Sequence, residues 1–159
     1  ALVRRQRQMC IRDSKYTDLL TDGKARMFTW VMEAKSVVTS PSPEKPILHK
    51  GIQQLRGLAW SGKGKIKRVD VSLDGGKNWR TAQLHAPIMS KSLVRFTLPF
   101  EWSGEELLIQ SRAIDETGYV QPYIQELQKI RGKNSIYHNN SIATSLVSKS
   151  GKVDNVRLG

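Results

Sequence analysis

The sequence predicts an all-β protein, an antiparallel β-sandwich of immunoglobulin-like shape with about seven strands. Short stretches of alternating apolar and polar residues recur along the chain, as in strands that bury one face. Turn segments rich in glycine, proline and serine separate them, and helical periodicity is almost absent. The candidate strands are residues 33–39, 49–60, 66–73, 79–84, 93–101, 105–115 and 142–148.

The third of these strands shows the pattern most clearly. Its apolar residues fall at alternate positions, so they share one face of the strand. Asp74, Gly75 and Gly76 follow, and glycines adopt the positive φ angles that a tight hairpin requires. Trp79 then begins the next candidate strand. The segment therefore predicts a hairpin, and as a hairpin it carries no functional signal.

Composition divides the 159-residue chain into three segments. Residues 1–14 hold four arginines against one aspartate and show no period, so we interpret them as a foreign or disordered lead. Residues 15–32 carry turn signals and few apolar residues, which is typical of an extended connector. Residues 33–159 contain all of the candidate strands and form the predicted sandwich.

Charge and hydropathy narrow the possible functions. The net charge of +12 favours a polyanionic partner. The basic residues are spread along the chain, however, without stacking aromatic motifs or a basic helix, so nucleic-acid binding is disfavoured. No apolar run reaches the roughly 18 residues that a membrane-spanning helix needs. The single cysteine, Cys10, cannot form an intramolecular disulfide.

Few side chains carry recognisable chemistry. Three dispersed histidines and one cysteine cannot form a metal-ligand cluster, and no serine lies in a nucleophile-elbow context. We therefore expect no catalytic residue and no metal ligand in this chain. In the turn of residues 115–118, the aspartate is expected to accept hydrogen bonds from backbone amides and Gly118 to adopt a positive φ.

Residues 120–142 interrupt the strand pattern for about twenty residues, and loops of that length in compact domains are usually functional or disordered. The segment contains Arg131, which a glycine follows. A planar guanidinium with five donors is suited to binding an oxyanion, and a solvated surface arginine is the alternative interpretation.

Three blocks, in order, carry a family resemblance: RGLAWSGKGKIKRVDVSLDGGKNWRTAQL, SRAIDETGYVQP and IRGKNSIYHNN. Together they resemble the C-terminal dimerisation domain of the molybdenum-cofactor sulfite oxidase family, and the resemblance covers residues 15–158. Within that family, KYTDLLTDGKARMFTWVMEAKSVVTSPS and IYHNN are similar to the sulfite dehydrogenase subunit of the bacterial thiosulfate-oxidising system.

The resemblance implies a fragment of a molybdenum-dependent sulfite oxidoreductase, inactive by itself. A missing upstream domain would bind the molybdenum cofactor (molybdopterin), residues 15–32 would be the connector from the end of that domain, and Cys10 lies outside the matching region. The family also implies a homodimer formed through this domain, a cytochrome c electron acceptor, sulfite or protein-carried sulfur as the substrate of oxygen-atom transfer, and a periplasmic location. An immunoglobulin-like binding module for a protein or an acidic polymer is the alternative.

Two residues match substrate-binding positions of the family. Arg131, with Gly132, matches an Arg-Gly pair that helps to bind the substrate anion. Tyr16 matches a tyrosine that lies beside the substrate. Tyr137 and His138 match an aromatic-histidine pair that would shape the late loop rather than act as acid or base.

Overall fold

The computed structural model of the protein describes residues 17–19, 22–27, 31–132 and 139–157. One helix, α1 (Ile124–Arg131), lies in these ranges. The strands in the same ranges are, in chain order, β1 (Thr17–Leu19), β2 (Ala25–Met27), β3 (Lys35–Ser40), β4 (Gly51–Trp60), β5 (Ile66–Ser72), β6 (Arg80–Thr81), β7 (Gln83–His85), β8 (Val94–Trp102), β9 (Leu107–Asp115), β10 (Thr144–Val147) and β11 (Val153–Val156).

The strands from β3 onward form two antiparallel sheets. The five-stranded sheet has the order β11-β10-β9-β5-β6, and the four-stranded sheet has the order β3-β4-β8-β7. Strands β1 and β2 pair with each other in a separate antiparallel hairpin inside the predicted connector. Each of the seven candidate strands overlaps a strand of the structure. The predicted antiparallel, immunoglobulin-like β-sandwich is therefore confirmed.

The core lies between the two sheets and is built from the inward positions of alternating strands. Along β8 every second residue is buried, and Phe96 at its centre is fully buried. Gly57 on β4 is the register partner of Phe96. A side chain at position 57 would overlap the Phe96 ring and the Val37 carbonyl oxygen. Glycine at position 57 therefore leaves room for the aromatic ring.

We expect Gly57→Ala to lower the free energy of unfolding by about 1–3 kcal/mol, because an added methyl group overpacks a filled core. Urea denaturation of the chain and the variant would measure the difference. Lys67→Ala, at an exposed position of β5, is the control and should change the stability by less than about 0.5 kcal/mol. Equal midpoints for the two variants would contradict the expected clash.

The candidate strand 79–84 is divided between the two sheets. Strand β6 pairs with β5, whereas β7 pairs with β8. Ala82, between them, is buried and donates its N–H to the Val69 carbonyl at 2.8 Å. The predicted β5–β6 hairpin forms, but residues 73–79 join its strands, so the turn is longer than a tight hairpin turn. The Asp74 carboxylate accepts hydrogen bonds from the backbone N–H groups of Lys77 and Asn78, and these bonds hold the longer turn.

The region after β9 holds a helix that the sequence pattern missed. Residues 120–142 contain α1, and they are not a continuous loop. The helix begins after Pro122, and the Glu126 carboxylate accepts the N–H of Tyr123 at 3.0 Å, as in a capping box. Leu127 and Arg131, four positions apart, are its buried residues. Two buried positions in eight residues are too few to produce a visible apolar period.

Candidate functional site

One end of the sandwich gathers several connecting segments, because β3 and β8 begin there and β4 and β9 end there. Lys35 pairs with Trp60 in the four-stranded sheet, and Ile66 pairs with Asp115 in the five-stranded sheet. Hydrogen bonds join Glu33, which precedes β3, to side chains of three segments that meet at this end. We use the term polar cluster for Glu33, Lys63, Tyr119, Arg131 and Asn140.

The Glu33 carboxylate lies at the centre of the polar cluster. Within the described ranges it accepts hydrogen bonds from three side chains: Arg131 Nη2 at 2.6 Å, Tyr119 Oη at 2.8 Å and Lys63 Nζ at 3.2 Å. The Arg131 side chain is only 4% exposed, and that of Glu33 is 16% exposed. The ion pair of Glu33 and Arg131 is therefore largely withdrawn from water, and its charge-assisted bond is stronger than a surface pair.

Asn140 and Lys63 both contact the Tyr119 side chain. Asn140 Nδ2 donates to Tyr119 Oη at 3.0 Å and to the Ala34 carbonyl at 3.2 Å. Lys63 Nζ lies 5.1 Å from the centre of the Tyr119 ring, within the range of a cation–π contact. These contacts fix the phenol so that it points at Glu33.

The turn before Tyr119 is built as the sequence predicts. Asp115 Oδ1 accepts the backbone N–H groups of Thr117 and Tyr119, and Oδ2 accepts the Ser61 hydroxyl at 2.7 Å. Gly118 has φ of 85°, the positive value expected for this turn. The prediction for residues 115–118 is confirmed, and its consequence is that the turn positions Tyr119 beside Glu33.

The electrostatics of the cluster keep Glu33 charged and Tyr119 protonated. Burial acts to raise the pKa of Glu33, but hydrogen bonds from Tyr119 and Lys63, with the charges of Arg131 and Lys63, outweigh it and leave that pKa below its ordinary value. Burial, opposed by the hydrogen bond from Asn140, raises the pKa of Tyr119, and the neighbouring Glu33 carboxylate adds to this rise. Tyr119 is therefore a hydrogen-bond donor to a carboxylate at neutral pH.

A buried amide connects this end of the molecule to both sheets. Gln121 is 2% exposed, and its Oε1 accepts the N–H of Ser36 on β3 at 2.9 Å and the N–H of Ala113 on β9 at 3.0 Å. The Ser36 hydroxyl also donates to Gln121 Oε1, at 2.8 Å. Gln121 Nε2 donates to the Ser141 carbonyl at 3.2 Å. This one side chain joins β3, β9 and the segment that returns after α1.

Of the two predicted substrate-binding residues, the structure places one. Arg131 is the last residue of α1 and is buried against Glu33, so it belongs to a helix end and not to an open loop. Tyr16 lies outside the described residues, as do Tyr137 and His138. The partners of Arg131 in the polar cluster carry no sequence signal, since Glu33 is 98 positions away along the chain.

The polar cluster carries one excess positive charge, because Lys63 and Arg131 both pair with the single carboxylate of Glu33. Lys35 lies next to the cluster and its ammonium group donates to the Asn139 carbonyl, while the Asp115 carboxylate lies at the backbone of Tyr119. Burial lowers the pKa of Lys35.

Among the residues that the structure describes, no three His, Cys, Asp or Glu side chains are placed to hold a metal ion. The described helix is too short and too polar to cross a membrane.

The family model described as the Mo-co oxidoreductase dimerisation domain matches residues 26–145. The crystal structure of the sulfane dehydrogenase SoxCD from Paracoccus pantotrophus is similar at 58% identity and a TM-score of 0.90, covering 94% of this chain and 39% of that chain. Sulfite oxidase from Gallus gallus is 40% identical over 98 residues, which are 57% of this chain and 21% of the relative. Nitrate reductase [NADH] from Solanum lycopersicum is 37% identical over 105 residues, 57% of this chain and 12% of the relative.

Fold and site together define a small immunoglobulin-like module in which a buried ion-pair cluster closes one end of the sandwich. The chain belongs to the Mo-co oxidoreductase dimerisation domain family. It spans about a fifth of the length of the sulfite oxidase and about two fifths of the sulfane dehydrogenase chain to which it is similar.

Proposed function

We propose that the chain is the dimerisation domain of a molybdenum-dependent sulfur oxidoreductase, in which an upstream part of the polypeptide binds the molybdenum cofactor. The full-length enzyme oxidises sulfite or protein-carried sulfur, passes electrons to a cytochrome c, and acts in the periplasm as a homodimer. The similarity to the sulfane dehydrogenase chain, over 94% of this chain, carries the proposal.

In this proposal Arg131 and Tyr16 bind the substrate anion. The bound cofactor supplies the oxygen-atom transfer, and this chain contributes an oriented cation to the site. The Glu33 carboxylate accepts a hydrogen bond from Arg131 Nη2 at 2.6 Å, which holds that end of the guanidinium. A planar donor group of fixed orientation selects a trigonal or tetrahedral oxyanion better than an ammonium group does.

Arg131→Lys in the full-length protein tests the assignment. Lysine keeps a positive charge near Glu33 but lacks the planar fork, so the KM for sulfite should rise about tenfold or more with little change in kcat. Steady-state reduction of cytochrome c by sulfite measures both constants, and light scattering checks that the dimer mass is unchanged.

Arg112→Lys is the matched control. Arg112 is a partly buried arginine on β9 that pairs with Asp70 on β5, away from the polar cluster. Its replacement should leave the KM unchanged. An unchanged KM in Arg131→Lys would contradict only the assignment of Arg131 as a substrate-binding residue. Failure of the cofactor-loaded wild-type protein to oxidise any sulfur substrate would contradict the proposed activity itself.

A further inference from the structure

Three donors in the polar cluster converge on one carboxylate. Arg131 Nη2 and Tyr119 Oη both donate to Glu33 Oε2. Lys63 Nζ donates to the other oxygen, Oε1. A guanidinium, an ammonium and a hydroxyl group are also the donors with which proteins bind carboxylates, phosphates and other oxyanions. The donors around Glu33 therefore form an oxyanion site that a side chain of the same chain occupies.

The three donors have supports other than Glu33. Asn140 Nδ2 donates to Tyr119 Oη at 3.0 Å, and the Lys63 ammonium group lies over the Tyr119 ring. Arg131 belongs to the last turn of α1, where its side chain is buried. We therefore expect the donors to stay close together when the carboxylate is removed.

The site is accessible from solvent on the side of Lys63. The side chains of Lys63, Glu33 and Arg131 are 37%, 16% and 4% exposed, so exposure falls from one cation to the other. Val31 and Met32, which precede Glu33, are exposed as well. An anion from solvent can therefore reach the donors, and the Glu33 side chain is close enough to the surface to turn outward.

The Glu33 carboxylate competes with any external anion for the same donors. A tethered ligand acts at an effective concentration that is roughly millimolar or higher, so a free anion should bind the wild-type chain weakly. Removal of the carboxylate raises the excess positive charge of the polar cluster from one to two, because Lys63 and Arg131 remain. An anion that then enters takes up their charge-assisted hydrogen bonds.

We propose that the polar cluster is an internally occupied oxyanion site, in which the Glu33 carboxylate holds the place of a small external oxyanion such as formate or sulfite. In the full-length enzyme the substrate anion takes Arg131 from Glu33 by exchange, a step that rests on the proposed function. Glu33 is then a specificity-determining residue, because only an anion that outcompetes a tethered carboxylate is bound. Two separate oxygens match Arg131 and Lys63, so a chloride ion should bind more weakly.

Rescue of Glu33→Ala by sodium formate tests the site. The variant keeps the three donors and loses only the carboxylate. Added formate should raise its urea-denaturation midpoint in a saturable way, because a ligand of the folded chain stabilises it according to the dissociation constant. We expect that constant to be about tenfold lower or more for Glu33→Ala than for the wild type, in which the carboxylate competes. Sodium chloride at the same ionic strength corrects for screening.

Three further variants locate the bound anion. Tyr119→Phe added to Glu33→Ala removes one donor and should weaken formate binding about threefold or more. Asp154→Ala removes an exposed carboxylate on β11 and should respond to formate as the wild type does. Glu33→Gln serves where Glu33→Ala does not fold. Its neutral amide keeps the length of the side chain but competes less for the two cations, so formate should bind about threefold more tightly than to the wild type.

The outcomes that would overturn the site are distinct from those that concern the proposed function. No saturable response in the Glu33 variants, or an equal response in Asp154→Ala, would overturn the site. Formate binding that is unaffected by Tyr119→Phe would overturn it too, because the anion would then lie elsewhere. The measurement needs neither cofactor nor turnover, so it decides the site even where the full-length enzyme oxidises no sulfur substrate.

Discussion

Glu33→Ala is expected to lower the free energy of unfolding by about 3–5 kcal/mol, the cost of breaking a buried ion pair by removing one partner. The substitution leaves the Arg131 guanidinium, 4% exposed, without the carboxylate that lies 2.6 Å from it. It also removes the acceptor of the Tyr119 hydroxyl. Urea denaturation of the chain measures the loss.

Asp154→Ala is the matched control for this prediction. Asp154 pairs with Lys152 at 3.1 Å, but the two side chains are 51% and 71% exposed. An exposed pair contributes about 0–1 kcal/mol, so its removal should have little effect. If Glu33→Ala costs no more than Asp154→Ala, the polar cluster does not stabilise this end of the sandwich.

The stability difference between the wild type and Glu33→Ala should also depend on pH. The folded-state pKa of Glu33 lies below its ordinary value, so the unfolded chain takes up the proton more readily. The contribution of Glu33 to the free energy of unfolding is then complete above the ordinary carboxyl pKa of about 4.3. It is lost as the pH falls through the lower folded-state pKa. Denaturation at a series of pH values should show a constant difference near neutrality and a shrinking one below about pH 4. A difference that grows on acidification would contradict the depressed pKa.

Alternation in the sequence was sufficient to predict the sandwich, because a strand with one buried face buries every second residue. It could not predict where the chain changes sheets. The candidate strand 79–84 divides where Ala82 turns inward between β6 and β7, and that switch depends on the hydrogen bond of Ala82 to Val69 on β5. The alternation pattern also missed β11, a short edge strand that forms by pairing with β10.

The candidate site was predictable only in part, for a related reason. Arg131 stands out because a glycine follows it in a region without strands. Its ionic partner Glu33 lies just before β3 and has no local feature that marks it. Local chemistry, such as the Asp115 turn, can be predicted from neighbouring residues, whereas a cluster assembled from distant segments needs the folded chain.

The other large effect is expected at Gln121. Gln121→Leu keeps the approximate size of the side chain but leaves the buried N–H groups of Ser36 and Ala113 without their acceptor. Each unsatisfied buried donor costs about 1–3 kcal/mol, so we expect a loss of about 3–5 kcal/mol in the free energy of unfolding. Gln125→Leu makes the same chemical change at an exposed position of α1 and should be nearly neutral.

Hydrogen exchange adds a readout that separates this amide bridge from general packing. In Gln121→Leu the amide protons of Ser36 and Ala113 should lose protection, while that of Phe96 in the centre of the four-stranded sheet should lose only what the global destabilisation explains. Equal loss at all three amides would mean that the bridge acts through overall stability alone. Selective loss would show that one glutamine holds β3 to β9, and so keeps Glu33, just before β3, within reach of Arg131 at the end of α1.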